Sequence, residues 1–355
     1  MVDKKEDFWI LALSGGGYRG LYTATILAEM EKRAGVPLAS KFDLITGTSV
    51  GAALAAGIAC EVPMERLVSM FRNHGREIFS GKRRFLSAWR HWPGLRIFNF
   101  GVFSARYSEA NLKRLLSATD LLGDTRFGQL KHRLVIPTIN LSKGAPQFFK
   151  TPHNEKFYLD REVRVVDAVM ASAAAPTFFP IYKFNDQRYA DGGLVANAPG
   201  LTAYHEATRW LDIPPERIHI VTIGTMNSSI TVNAASSLNQ GLIISLPGWN
   251  PFKSWRGWGR RLFEITLAAQ EKMMGSMLEH VAKGRVLAVD TEIKSDQSNS
   301  VGLDRVNDEA VEVLKAQANI KWQEISNNEL LLSWLGHTAS AAKMHHSKMK
   351  GEQDA

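Results

Sequence analysis

Five residues, Gly47-Thr48-Ser49-Val50-Gly51, constrain this chain more than any other stretch. Before them, residues 42 to 46 (FDLIT) are a short apolar run; after them, residues 49 to 60 are rich in alanine. The first reads as a strand and the second as a tightly packed helix. A chain passing from strand to helix within two residues must turn sharply, and a side chain at the apex is lifted clear of the backbone. Small neighbours are required because the two elements crowd there. The spacing Gly-x-Ser-x-Gly therefore predicts a strand–turn–helix with Ser49 presented as a nucleophile and Gly47 and Gly51 flanking it.

A second turn lies upstream. Residues 8 to 13 (FWILAL) are an apolar run that meets Ser14-Gly15-Gly16-Gly17-Tyr18-Arg19-Gly20. Helix formers follow, with Leu21, Ile26, Leu27 and Met30 at helical spacing, and Gly35 and Pro37 stop them. Consecutive glycines at a strand end can aim several N–H groups into one space, which suits a developing oxyanion. Arg19 would add positive charge or brace the loop. The same stretch has a competing reading, since Gly15, Gly17 and Gly20 also satisfy the dinucleotide fingerprint Gly-x-Gly-x-x-Gly. That fingerprint wants an acid about 20 positions on, at the end of the next strand. Here Asp43 stands near the start of that strand and Thr46-Gly47 end it. A nucleotide-binding module that uses the Gly15–Gly20 loop without hydrolysis stays the alternative function.

A serine nucleophile needs a base. None of the 10 histidines stands in a glycine-rich turn. His205 falls in a helix-like stretch, His219 opens a strand, and His345 and His346 sit in the tail. Asp191-Gly192-Gly193 does form such a turn, after an apolar-aromatic run and ahead of Asn197 and Pro199. Its carboxylate can contact a serine hydroxyl directly; an ordinary turn-forming Asp-Gly pair is the other reading.

Residues 134 to 140, 218 to 223 and 285 to 289 read as further strands, and their alternation with helices implies a mostly parallel sheet covered on both faces. A helical pattern returns at 304 to 326, with Val306, Ala310, Val313 and Leu314 on one face, and the end from Thr338 reads as polar and frayed. Two stretches, 79 to 107 and 249 to 263, interleave aromatic and basic residues. They suit a surface for anionic bilayer, a nucleotide-phosphate site, or a packed cap with solvated arginines. The net charge of +8 favours anionic partners, and no nucleic-acid motif accompanies it. Cys60 is the single cysteine, so no intrachain disulfide forms and a reducing compartment is expected. The first residues lack signal-peptide character and no apolar run is long enough to span a bilayer, so a cytoplasmic chain with peripheral membrane contact is expected.

Taken in order, Gly15-Gly16-Gly17-Tyr18-Arg19-Gly20, the elbow around Ser49, Ser172-Ala173-Ala174-Ala175-Pro176 with Phe179-Pro180, and Asp191-Gly192-Gly193 resemble the four signature blocks of patatin-like phospholipases. The resemblance covers residues 10 to 199. It implies a three-layer α/β/α fold with a mostly parallel central sheet, and acyl-ester hydrolysis by a Ser–Asp dyad without histidine or metal. Under it Ser49 is the nucleophile, Asp191 the base, and Gly15, Gly16 and Gly17 the oxyanion donors with Arg19 supporting them. It further implies a patatin-like domain over residues 8–290, with 79–107 as a cap-like insertion, followed by a C-terminal helical segment and tail over 291–355.

The stretch LALSGGGYRGLYTATIL is similar to a narrower group, the bacterial patatin-like effectors of antiphage defence that a cyclic dinucleotide activates against membrane phospholipid. This implies no cofactor, a cyclic dinucleotide as allosteric activator, a phospholipid surface as partner, inner-membrane attachment when active, and assembly into a homo-oligomer.

Overall fold

A computed structural model describes residues 7–79, 107–226, 251–293 and 300–345. Within them the chain runs β1 (Phe8–Leu13), α1 (Gly20–Ala34), β2 (Leu44–Gly47), α2 (Val50–Ala59), α3 (Met64–Ile78) and α4 (Glu109–Leu116). It continues through β3 (Leu134–Asn140), β4 (Ala145–Lys150), α5 (Val165–Ser172), β5 (Tyr182–Phe184), β6 (Gln187–Ala190) and α6 (Gly193–Ala196). The last elements are α7 (Gly200–Trp210), β7 (Ile218–Ile223), α8 (Pro251–Val281), β8 (Val286–Val289), α9 (Asp308–Ile325) and α10 (Glu329–Gly336).

The strands form one sheet in the order β5-β6-β3-β2-β1-β7-β8, with β4 also on β3. From β3 to β8 along that path every pairing is parallel, while β4 and β6 pair with β3, and β5 with β6, antiparallel. β1 shows why the sheet needs two covers. Successive side chains of a strand point to opposite faces, and all six residues of FWILAL are buried. Trp9, Leu11 and Leu13 join one apolar cluster with α1, α2, α3, α5 and α9. Phe8 and Ile10 join a second, built on Ala203 and Ala207 of α7 and Leu278 of α8. The result is the expected three-layer α/β/α arrangement. Leu314, Ala318 and Trp334 bring α9 and α10 into the first cluster.

The local signals for ends of elements hold. Gly35 ends α1 in the left-handed region at φ 66°, returning its N–H to Glu31 O. α9 starts later than the pattern from 304 suggested, because Asn307 caps it by accepting the Ala310 N–H at 2.7 Å.

One expectation is overturned. The segment from Thr338 packs back on the domain as far as His345 instead of fraying. Asp43 is the cause: it is 4% exposed, so its carboxylate needs donors. Oδ2 accepts from the Trp9 N–H at 2.9 Å and from His337 Nε2 at 2.8 Å, and Oδ1 from the Ser340 N–H at 3.1 Å. Ala339 N–H to Ser40 O and His345 N–H to Pro152 O extend the seam. Replacing Asp43 by alanine leaves buried donors without an acceptor and should cost about 2–4 kcal/mol. A lowered melting temperature together with proteolytic release of the 338–345 segment would show it; wild-type digestion kinetics would contradict it.

Most of the 79–107 stretch lies outside the described residues. For 249–263, α8 covers 251–263 as backbone, and only Phe263 has a described side chain. Among the described residues no helix is long and apolar enough to cross a membrane.

Candidate active site

β1 and β2 end side by side, Leu13 opposite Gly47, so their following turns meet above the carboxyl edge of the sheet. That edge is where open α/β sheets bind ligands. Ser49 occupies the apex of the second turn with φ 55° and ψ −119°, a strained conformation for a residue with a side chain. Its surroundings hold it there. Thr48 N–H donates to Leu13 O at 3.1 Å, Thr48 Oγ1 donates to Ala196 O, and Ser49 N–H donates to Ser172 Oγ at 3.0 Å. The flanking glycines are steric necessities. A Cβ on Gly47 would overlap the Gly51 carbonyl, and one on Gly51 would overlap the Leu13 and Ser14 carbonyls. Gly51→Ala should therefore cost about 1–3 kcal/mol and displace the serine. A mutant with wild-type melting temperature and activity would refute that account of the motif.

Asp191 follows β6 and is 2% exposed. Its Oδ1 accepts the Gly193 N–H at 2.6 Å, and the Ser49 hydroxyl lies close enough to favour the charged carboxylate. Burial pushes its pKa up to about 7, against the opposing pull of the Gly193 amide and the Ser49 hydroxyl. Ser172 joins the two halves: its hydroxyl holds Ser49 N–H, and its carbonyl accepts the Gly192 N–H at 3.1 Å. The block around Ser172 is visible in the sequence, but its bridging role is not.

The glycine loop needs one correction. Gly15 was expected among the oxyanion donors, but its N–H is spent on Asn197 O at 3.1 Å. Gly16 and Gly17 remain, and both line the pocket that contains Ser49 and Asp191. Gly17 lies at φ 59°, and a Cβ there would overlap Leu303 O. Arg19 is a brace: NH1 donates to Met226 O at 2.8 Å and Nε to Gly16 O at 3.4 Å. Burial lowers its pKa, while Glu271, Asp290 and Glu264 favour its charge.

The pocket around these groups is apolar. Met70 and Phe71 of α3, Leu116 of α4, Val169 of α5, Phe178, and Phe263 and Leu267 of α8 wall it. Among the described residues no histidine lines it. Among the described residues no group of His, Cys, Asp and Glu side chains is arranged to hold a metal ion. Such a site can take an apolar chain up to a serine whose proton has a buried carboxylate to go to. Asp43, the acid that a dinucleotide fingerprint would need, lies at the opening end of β2 and is occupied by Trp9, His337 and Ser340. The dinucleotide reading of the loop fails on that geometry. Asn197, Gln270 and Glu271, which grip the loop from behind, carried no sequence signal beyond the position of Asn197 after the Asp191 turn.

A family model described as patatin-like phospholipase matches residues 11–204. Three curated relatives carry the name cGAMP-activated phospholipase. The protein from Pseudomonas aeruginosa (strain BWHPSA011 / Pa011) is 39% identical and covers 98% of each chain. That from Vibrio cholerae serotype O1 (strain ATCC 39315 / El Tor Inaba N16961) is 32% identical, over 92% of this chain and 94% of its own. That from Escherichia coli (strain TW11681) is 30% identical, over 89% and 90%.

Proposed function

The chain belongs to the patatin-like phospholipases, a family of hydrolases, and from that premise we propose that it releases fatty acids from membrane phospholipid with Ser49 and Asp191, on activation by a cyclic dinucleotide. The observation that carries the chemistry is the buried Asp191 carboxylate beside the Ser49 hydroxyl at the head of an apolar pocket. Ser49 Oγ attacks the ester carbonyl carbon while its proton passes to Asp191. The Gly16 and Gly17 amides receive the oxyanion. As the tetrahedral species collapses, the proton on Asp191 goes to the departing lysophospholipid oxygen and leaves an acyl-serine. Asp191 then takes a proton from water as it attacks the acyl-serine, and on collapse that proton returns to the departing Ser49 Oγ, which frees the fatty acid. A carboxylate with a pKa near 7 is matched to both roles at neutral pH.

The activation rests on relatives named for it, which this chain matches across nearly its whole length. The apolar pocket and the net charge of +8 support action at an anionic bilayer surface, consistent with a membrane-degrading effector of antiphage defence that assembles when switched on.

Fatty-acid release from phosphatidylglycerol-containing vesicles tests both parts. Adding cGAMP, with cyclic di-GMP and cyclic di-AMP as controls, should raise release by at least about tenfold for one nucleotide. Release that no nucleotide changes would end the activation proposal, and absence of release under every condition would end the hydrolase mechanism.

A further inference from the structure

We propose that Glu271 on α8 is a positioning residue for acyl transfer, acting through Asn197 to hold the glycine loop against Ser49; this rests on the hydrolase reading above. Asn197 stands at a junction. Its carbonyl accepts the Gly15 N–H, and it lines the pocket with Ser49 and Asp191. A Cβ on either Gly15 or Gly193 would crowd Asn197 Oδ1, so the side chain is wedged between the glycine loop and the Asp191 turn.

Two consecutive residues of α8 hold this wedge. Gln270 Oε1 accepts the Asn197 backbone N–H, and Glu271 Oε2 accepts from Asn197 Nδ2 at 3.4 Å. Glu271 also lies near the side chain of Ser14, directly ahead of the glycines, and it attracts Arg19, which donates to the Gly16 carbonyl. One turn of α8 thus reaches the loop at Ser14, through Asn197 to Gly15, and through Arg19 to Gly16. Among the described residues the buried Asn197 Oδ1 has no hydrogen-bond partner, a cost that a purely structural asparagine has no reason to keep.

The helix face has a second duty. Phe263, Leu267 and Glu271 recur every fourth residue, so they share one face of α8. The first two wall the acyl pocket and the third holds the loop. Glu271 shares its surroundings with Asp290, Glu264 and Arg19, and Lys321 acts on Asp290. Burial and the neighbouring Asp290 push the Glu271 pKa up to about 7. Glutamine keeps the hydrogen bond to Asn197 and loses only the attraction to Arg19.

The test compares the full chain with Glu271→Ala and Glu271→Gln. It measures vesicle hydrolysis under activating conditions and the rate at which a fluorophosphonate labels Ser49. Glu271→Ala should lower kcat about 10–100-fold with KM changed by less than about twofold, and should slow labelling by a similar factor. Glu271→Gln should recover to within about threefold of wild type. A Glu271→Ala kcat close to wild type would overturn the proposal. So would a loss that glutamine does not rescue and that tracks a fall in melting temperature. Ser49→Ala separates the two readings: release that persists in it defeats the hydrolase reading itself, whereas release that needs Ser49 but ignores Glu271 defeats this inference alone.

Discussion

Ser49→Ala is expected to reduce fatty-acid release by at least about 10³–10⁴-fold while leaving the fold intact, since removing the nucleophile eliminates the acyl-serine route altogether. The stability half of this expectation follows from the turn. The contacts that hold the apex use the Ser49 backbone, the Thr48 hydroxyl and the Ser172 hydroxyl, all of which survive the substitution. Only the interaction of the Ser49 hydroxyl with Asp191 is lost. The melting temperature should stay within a few degrees of wild type, about 1 kcal/mol or less. Activity that survives in the folded mutant would remove Ser49 from the mechanism; activity lost only together with the fold would leave a structural turn.

Asp191→Asn should give the other large effect, with an unusual sign in stability. Activity should drop by at least about 10³-fold, because an amide cannot accept the serine proton. Wild-type kcat/KM should itself fall as pH drops through about 7, where Asp191 takes up its proton. Folding stability moves the opposite way. The folded-state pKa lies above the ordinary 3.8, so between roughly pH 4 and 7 the native protein binds a proton that the unfolded chain has lost. Stability is therefore full below pH 4 and is eroded as pH rises toward 7. A rise to about 7 corresponds to roughly 4 kcal/mol as a ceiling, at 1.36 kcal/mol per pH unit. Asparagine removes this penalty, so the mutant should gain about 2–4 kcal/mol over wild type at pH 8.5 and nothing at pH 4. Glu271 also has a raised pKa, so the mutant-minus-wild-type difference, and not the wild-type curve alone, is diagnostic. Denaturant melts at the two pH values measure it. A difference that does not change with pH would mean that Asp191 is not held in a dry site.

What could be read from the amino-acid string were features whose causes are local. FWILAL makes a strand buried on both faces because its residues are apolar without exception. Gly35 ends a helix because it alone enters the left-handed region cheaply. Gly47 and Gly51 flank Ser49 because the turn leaves no room for a Cβ. These constraints act within a few residues, so spacing records them, and they led to the layered sheet and to Ser49 and Asp191 as candidates. The tertiary structure decided matters that depend on partners far away in the chain. Gly15 looks no different from Gly16 in sequence, and only the fold brings Asn197 to take its N–H. Asp43 is just an acid near the start of a strand until Trp9, His337 and Ser340 close around it. Glu271 is one more polar residue on a long helix until α8 is laid against the glycine loop. A hydrogen bond between residues tens to hundreds of positions apart imposes no periodicity on either of them, so nothing short of the packed chain reveals it.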